Sequence, residues 1–181
     1  MEIKELYSTK GKLIAGMLLA AAAIRLVPHE PNFTPIGAMA LFGGTYLVNK
    51  RLALILPLVT MLVSDLLIQL VSQNGFHSSM VFVYGSFVLI AMLGFLLRKR
   101  VQRQTIMVAS LVGSLIFFFV SNFGTWITTG IYPLSGTGLV ECYIAGIPFF
   151  KGTVMGDLFY NLILFGSFSI LKWKFPKVAI N

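Results

Sequence analysis

The chain has 181 residues, of which 57% are hydrophobic and 11% charged, with a formal net charge of +8. Its mean hydropathy of +0.87, with charged residues far below the roughly 25% usual in soluble domains, excludes a water-soluble globular protein. The basic excess does not point to nucleic acid, because Lys and Arg stand in short clusters between apolar runs, as the positive-inside rule describes.

Repeated apolar runs approach the roughly 20 residues needed to cross a bilayer. They predict an all-α membrane protein, with six transmembrane helices in one bundle that forms a single transmembrane domain over residues 1–181. Lys4, Lys10 and Lys12 precede an apolar run ending in Ala20–Ala23, which resembles a signal peptide. Glu2 and Glu5 dilute that basic region, and cleavage would strand the following loop at a new terminus. The run is therefore read as an uncleaved first helix, Leu13 to Val27. Gly16 with Ala20, and Leu19 with Ala23, lie four residues apart on it, the spacing at which small residues let membrane helices approach closely.

Pro28, Pro31 and Pro35 then impose an irregular loop, because proline removes a backbone donor and pushes its predecessor toward extended geometry. The second apolar segment, Ile36 to Val48, covers only about 20 Å of a core about 30 Å thick. Irregular backbone at that depth must be satisfied by protein or by a watery cavity. A pocket is expected there.

The third helix, Leu52 to Val71, carries Pro57 and a stripe of Met61, Ser64, Asp65, Ile68, Gln69 and Ser72 on one face. The fourth, Met80 to Leu97, runs into Arg98, Lys99, Arg100 and Arg103. The fifth, Thr105 to about Thr129, aligns Ser114, Phe118, Ser121, Asn122, Thr125 and Trp126. A Gly- and aromatic-rich loop, Gly130 to Pro148, precedes the sixth helix, about Gly152 to Leu171, with Asp157, Tyr160 and Asn161. With six helices the basic clusters all fall on one side, which places both termini in the cytoplasm of a multi-pass cell-membrane protein. The loops between helices 1 and 2 and between helices 5 and 6 then lie outside.

Arg25, Asp65, Asn122, Trp126, Asp157 and Asn161 converge toward that outer side. Intramembrane charges normally face a bundle interior, a partner or water. The set is thus either a lock between helices, with Arg25 paired to Asp65 or Asp157, or the orienting groups of an outward-facing cavity. Phe33, Trp126, Tyr132, Tyr143, Phe149, Phe150, Phe159 and Tyr160 read as interfacial aromatics, or as the walls of a cavity suited to a flat heterocycle. The expected ligand-binding set is Arg25, His29, Asn32, Phe33, Asp65, Asn122, Trp126, Tyr143, Asp157 and Asn161. His29 and His77 otherwise read as interfacial or loop residues, with metal ligation as their alternative. Cys142 allows no intrachain disulfide and reads as a small apolar residue, with metal ligation as its alternative. No metal site and no cofactor are expected. There is no HExxH, GxSxG or P-loop, so neither a catalytic role nor ATP hydrolysis is expected.

The strings RLVPHEPNFTPIGAMALFGG, PLVTMLVSDL, SNFGTW and CYIAGIPFFKGTVMGDLFY together resemble a family of small bacterial membrane proteins. That family is similar in size, helix number and topology to the substrate-binding S components of energy-coupling factor vitamin transporters. The resemblance implies a small vitamin-like solute bound near the outer face. It also implies partnership with a transmembrane coupling protein and its ATPase subunits, and no nucleic acid. Gly16 and Ala20 are similar to the Ala-rich docking surface of that group, with Ile24 at the next position. A non-transport membrane scaffold or an intramembrane enzyme with a structural Arg/Asp network is the alternative.

Overall fold

The computed structural model describes residues 8–27, 30–73 and 75–175, and every regular element among them is helical. The helices are α1 (Thr9–Ile24), α2 (Ile36–Tyr46), α3 (Lys50–Ser72), α4 (Met80–Leu97), α5 (Arg103–Thr128) and α6 (Gly136–Lys174). Four of them, α3 to α6, are long and apolar enough to cross a membrane. Large apolar side chains such as Leu70, Val71, Val81, Leu96 and Leu162 lie more than 70% exposed on the bundle surface. Apolar exposure on that scale needs lipid or protein against it. These helices mark a membrane protein.

The short helix α2 is the axis of the bundle. Each residue from Ile36 to Thr45 is buried, and α2 packs against all five other helices. A helix that is apolar all round belongs in a core. Its closest neighbour is α4, where a Cβ on Gly44 would collide with the carbonyl of Ala91, and one on Gly94 with the carbonyl of Leu41. Small residues at such a crossing let two backbones meet, which drives helix association in lipid. Phe42 and Tyr46 of α2 meet Phe165 and Phe168 of α6 at centroid separations of 4.3–5.5 Å, within the range of favourable ring contacts.

Eleven residues rise only about 16 Å, so both ends of α2 stop inside the bundle and their backbone groups need partners. At the C-terminal end Arg98 supplies them. Its guanidinium donates to the carbonyls of Gly44 (2.9 Å), Leu47 (2.6 Å) and Val48 (3.2 Å), and the positive charge complements the helix dipole. Replacing Arg98 with Ala should therefore lower stability by about 1–3 kcal/mol, the cost of stranded acceptors. Thermal melting of the detergent-solubilised protein measures this; an unchanged melt would show that water caps α2 equally well. Lys50 and Arg98 over Phe95, and Lys172 over Tyr46 and Phe168, gather at this same end. It is the basic end of the bundle.

Boundaries follow local chemistry. Asn49 caps α3 by accepting from the amides of Arg51 (2.8 Å) and Leu52 (3.2 Å). The first helix stops at Ile24, with Arg25 as its C-cap, rather than continuing to Val27. The expected loop from Gly130 to Pro148 is helical from Gly136 onward. Ser135 accepts from the amide of Gly138 at 3.2 Å and starts a helix that runs through Pro148 to Lys174. Proline deletes one helical hydrogen bond, but in an apolar setting abandoning the helix would strand many more. Only the segment from Thr129 to Ser135 connects α5 to α6.

Candidate functional site

Among the described residues, two polar centres hold a buried acid, and they differ in kind. The first joins α1, α3 and α4. Arg25, beside the end of α1, makes an ion pair with Asp65; it also donates to Ser64 Oγ at 2.6 Å and to the Met61 carbonyl at 3.3 Å. The Tyr84 hydroxyl donates to Asp65 Oδ2 at 2.6 Å. Asp65 is 1% exposed. Pro57 and the following turns of α3 put Met61, Ser64 and Asp65 on one face, so a single guanidinium reaches all three. Every charge here has its counterpart.

The second centre is a cavity of about 330 Å³ at the end opposite the basic clusters. Three connections meet there, bringing Asn32, the His77–Ser79 pair and Tyr132 over walls made by α5 and α6. The walls are aromatic and apolar: Phe117, Phe118, Phe149, Phe150 and Val83. The polar lining is neutral: Ser121, Asn122, Thr125 and Thr153. Asn32 sits in the left-handed backbone region at φ 59°, a conformation that Asn tolerates better than most residues, and this turn carries it to the cavity. Asn122 is oriented by donating from Nδ2 to the Phe118 carbonyl at 2.7 Å, and Cys142 Sγ donates to the Asn122 carbonyl at 3.3 Å. Ser79 and His77 share a 3.2 Å hydrogen bond. A volume above 300 Å³, mostly apolar walls and a few placed polar groups are the usual properties of a small-molecule site.

Beneath this cavity a narrow branch of about 20 Å³ shares Asn32, Phe117 and Thr153 with it and reaches Asp157. Asp157 is 4% exposed. Ser114 donates to its Oδ2 at 2.6 Å, and its Oδ1 lies so close to the start of α2 that a Cβ on Gly37 would strike it. The first turn of α2 thus aims the positive end of its dipole at this carboxylate. Among the described residues, no Lys or Arg lines either space. Among the described residues, Asp157 is the buried acid without a cation.

Of the expected ligand-binding residues, Asn32, Asn122 and Asp157 meet in this connected space. Arg25 and Asp65 lie in the separate ion-pair centre. Trp126 donates from Nε1 to the Pro133 carbonyl at 2.9 Å and pins the α5–α6 connection. Tyr143 donates to the Phe119 carbonyl at 2.8 Å. Phe33 packs on Phe159 and Tyr160 at 5.6 and 5.5 Å. Asn161 faces an α5–α6 groove that includes Arg103 and donates to Ser110 Oγ at 3.0 Å. His29 lies outside the described residues. Ser79, Phe117 and Thr153 line the cavity without having been singled out in the sequence. For Thr153 the signal was its position four residues before Asp157, one helical turn away.

Among the described residues no three His, Cys, Asp or Glu side chains gather to hold a metal ion. No curated protein and no solved structure matches the chain. The family model described as "Family of unknown function (DUF6580)" matches residues 7–178, and the chain belongs to that family.

Proposed function

We propose that this protein is a membrane-embedded binding subunit for uptake of a small vitamin-like solute, similar in role to the S components of energy-coupling factor transporters. It has no catalytic activity of its own. The single observation that carries this reading is the aromatic, neutral-polar cavity at the end opposite the basic clusters. By the positive-inside rule that end faces outward in a six-span bundle with cytoplasmic termini. Capture involves Asn32 and Asn122, with Asp157 at the floor, while Arg25 and Asp65 tie α1 to α3 away from the cavity. The helix α1 buries Gly11, Ile14, Leu18 and Ala21 against the bundle and leaves Gly16, Ala20 and Ala23 exposed. That second face supports association with a transmembrane coupling protein carrying ATPase subunits. The Arg25–Asp65–Tyr84 cluster is the one observation in favour of a non-transport scaffold, and it touches no part of the cavity.

Thermal melting of the purified protein against a panel of vitamins and their precursors tests the reading. A saturating solute at 100 times its Kd stabilises by about 2.7 kcal/mol, a clear upward shift. Ala145 lines the cavity, so Ala145→Trp should fill it, abolish that shift and leave the ligand-free melt nearly unchanged. An equal shift in wild type and Ala145→Trp would place binding elsewhere.

A further inference from the structure

We propose that the cavity selects solutes bearing a positively charged nitrogen, an ammonium or amidinium group, with Asp157 as the residue that reads the charge. This rests on the cavity being the binding site, and adds to that reading the chemical class of its occupant.

Among the described residues, two buried carboxylates sit in the bundle, Asp65 and Asp157. Asp65 has the Arg25 guanidinium and the Tyr84 hydroxyl. Asp157 has one hydroxyl, from Ser114, and the amino end of α2. A helix terminus offers about half a unit charge, which offsets part of a carboxylate and leaves the rest. A charge at such depth normally faces a partner, a bundle interior that neutralises it, or water. Arg25 cannot serve, because its guanidinium is already bound to Asp65, Ser64 and Met61.

The shape of the space identifies what can serve. The branch above Asp157 holds about 20 Å³, room for roughly one water-sized group. A ring does not fit it; a single N–H-bearing nitrogen does. The wider chamber is walled by Phe117, Phe118, Phe149 and Phe150, aromatic side chains of the kind that pack on a flat ring and attract a cation close to it. A solute lying in the chamber with a charged nitrogen directed into the branch satisfies both parts. An anionic solute would bring like charge toward Asp157 with no Lys or Arg among the described lining residues to offset it.

Three near-isosteric probes separate charge from shape: benzamidine (cationic), benzamide (neutral) and benzoate (anionic), each at millimolar concentration with thermal melting as the readout. Benzamidine should stabilise wild type most and benzoate least. Asp157→Asn keeps the side chain's size and its contact with Ser114, and should weaken benzamidine by about 10- to 100-fold, the factor expected for a charged hydrogen bond, while sparing benzamide. Ser114→Ala retains the carboxylate and should keep the preference for benzamidine, so the test survives if Asp157→Asn fails to fold. Equal stabilisation by benzamidine and benzamide in wild type and Asp157→Asn would overturn the charge inference and leave the cavity reading intact. A wild-type protein that binds none of the three but co-purifies with a neutral or anionic solute displaced by Ala145→Trp would do the same. No probe binding together with no co-purified solute would instead count against the cavity itself.

Discussion

Arg25→Gln and Asp65→Asn should each lose folded protein heavily, by about 3–5 kcal/mol, because breaking a buried ion pair strands the remaining partner. The two losses should not be equal. Arg25 side-chain exposure is 16% against 2% for Asp65, so an orphaned Arg25 can extend toward water while an orphaned Asp65 cannot. Asp65→Asn also retains an acceptor for the Tyr84 hydroxyl, 2.6 Å away in the parent protein. Arg25→Gln is therefore the more damaging. Thermal melting and the yield of monodisperse protein measure both. The protein that does fold should bind solute normally, since neither residue lines the cavity. A well-folded Asp65→Asn protein that had lost solute binding would return Asp65 to the site.

The second large effect is at the centre of the bundle. Gly44→Val should prevent recovery of folded protein. The new side chain would have to occupy the position of the Ala91 backbone, and neither α2 nor α4 can withdraw without opening the core around Phe42 and Ile90, both at most 1% exposed. Overpacking ordinarily costs about 1–3 kcal/mol, and more where backbone must move. Gly16→Val is the internal comparison, because nothing lies within 4 Å of a Cβ at Gly16. It should fold and melt as wild type does. Equal recovery of Gly44→Val and Gly16→Val would contradict the close α2–α4 crossing.

What the sequence made legible was set by hydropathy and local chemistry. Met80–Leu97 is bounded by a polar turn and by Arg98, and its helix has those limits. The proline cluster ahead of Ile36 marked a short segment and a nearby pocket, but not that α2 would be the axis of the bundle. Gly136–Pro148 misled because Gly and Pro signal turns in water, whereas the backbone of an apolar region keeps its helical hydrogen bonds. The two acids were equivalent in sequence. Pairing Arg25 with Asp65 rather than Asp157 depends on how α1, α3 and α6 are rotated about their axes, and no single segment encodes that. Asn161 and Asp157 are one helical turn apart on α6, yet one faces the α5–α6 groove and the other the branch of the cavity. Such a division follows only from packing.

Native mass spectrometry of wild type and Ala145→Trp, purified in parallel without added solute, decides whether the cavity holds the solute. Wild type should carry a bound small molecule that Ala145→Trp lacks, with both proteins otherwise equally folded. The same adduct on both proteins would contradict the assignment of the cavity as the binding site.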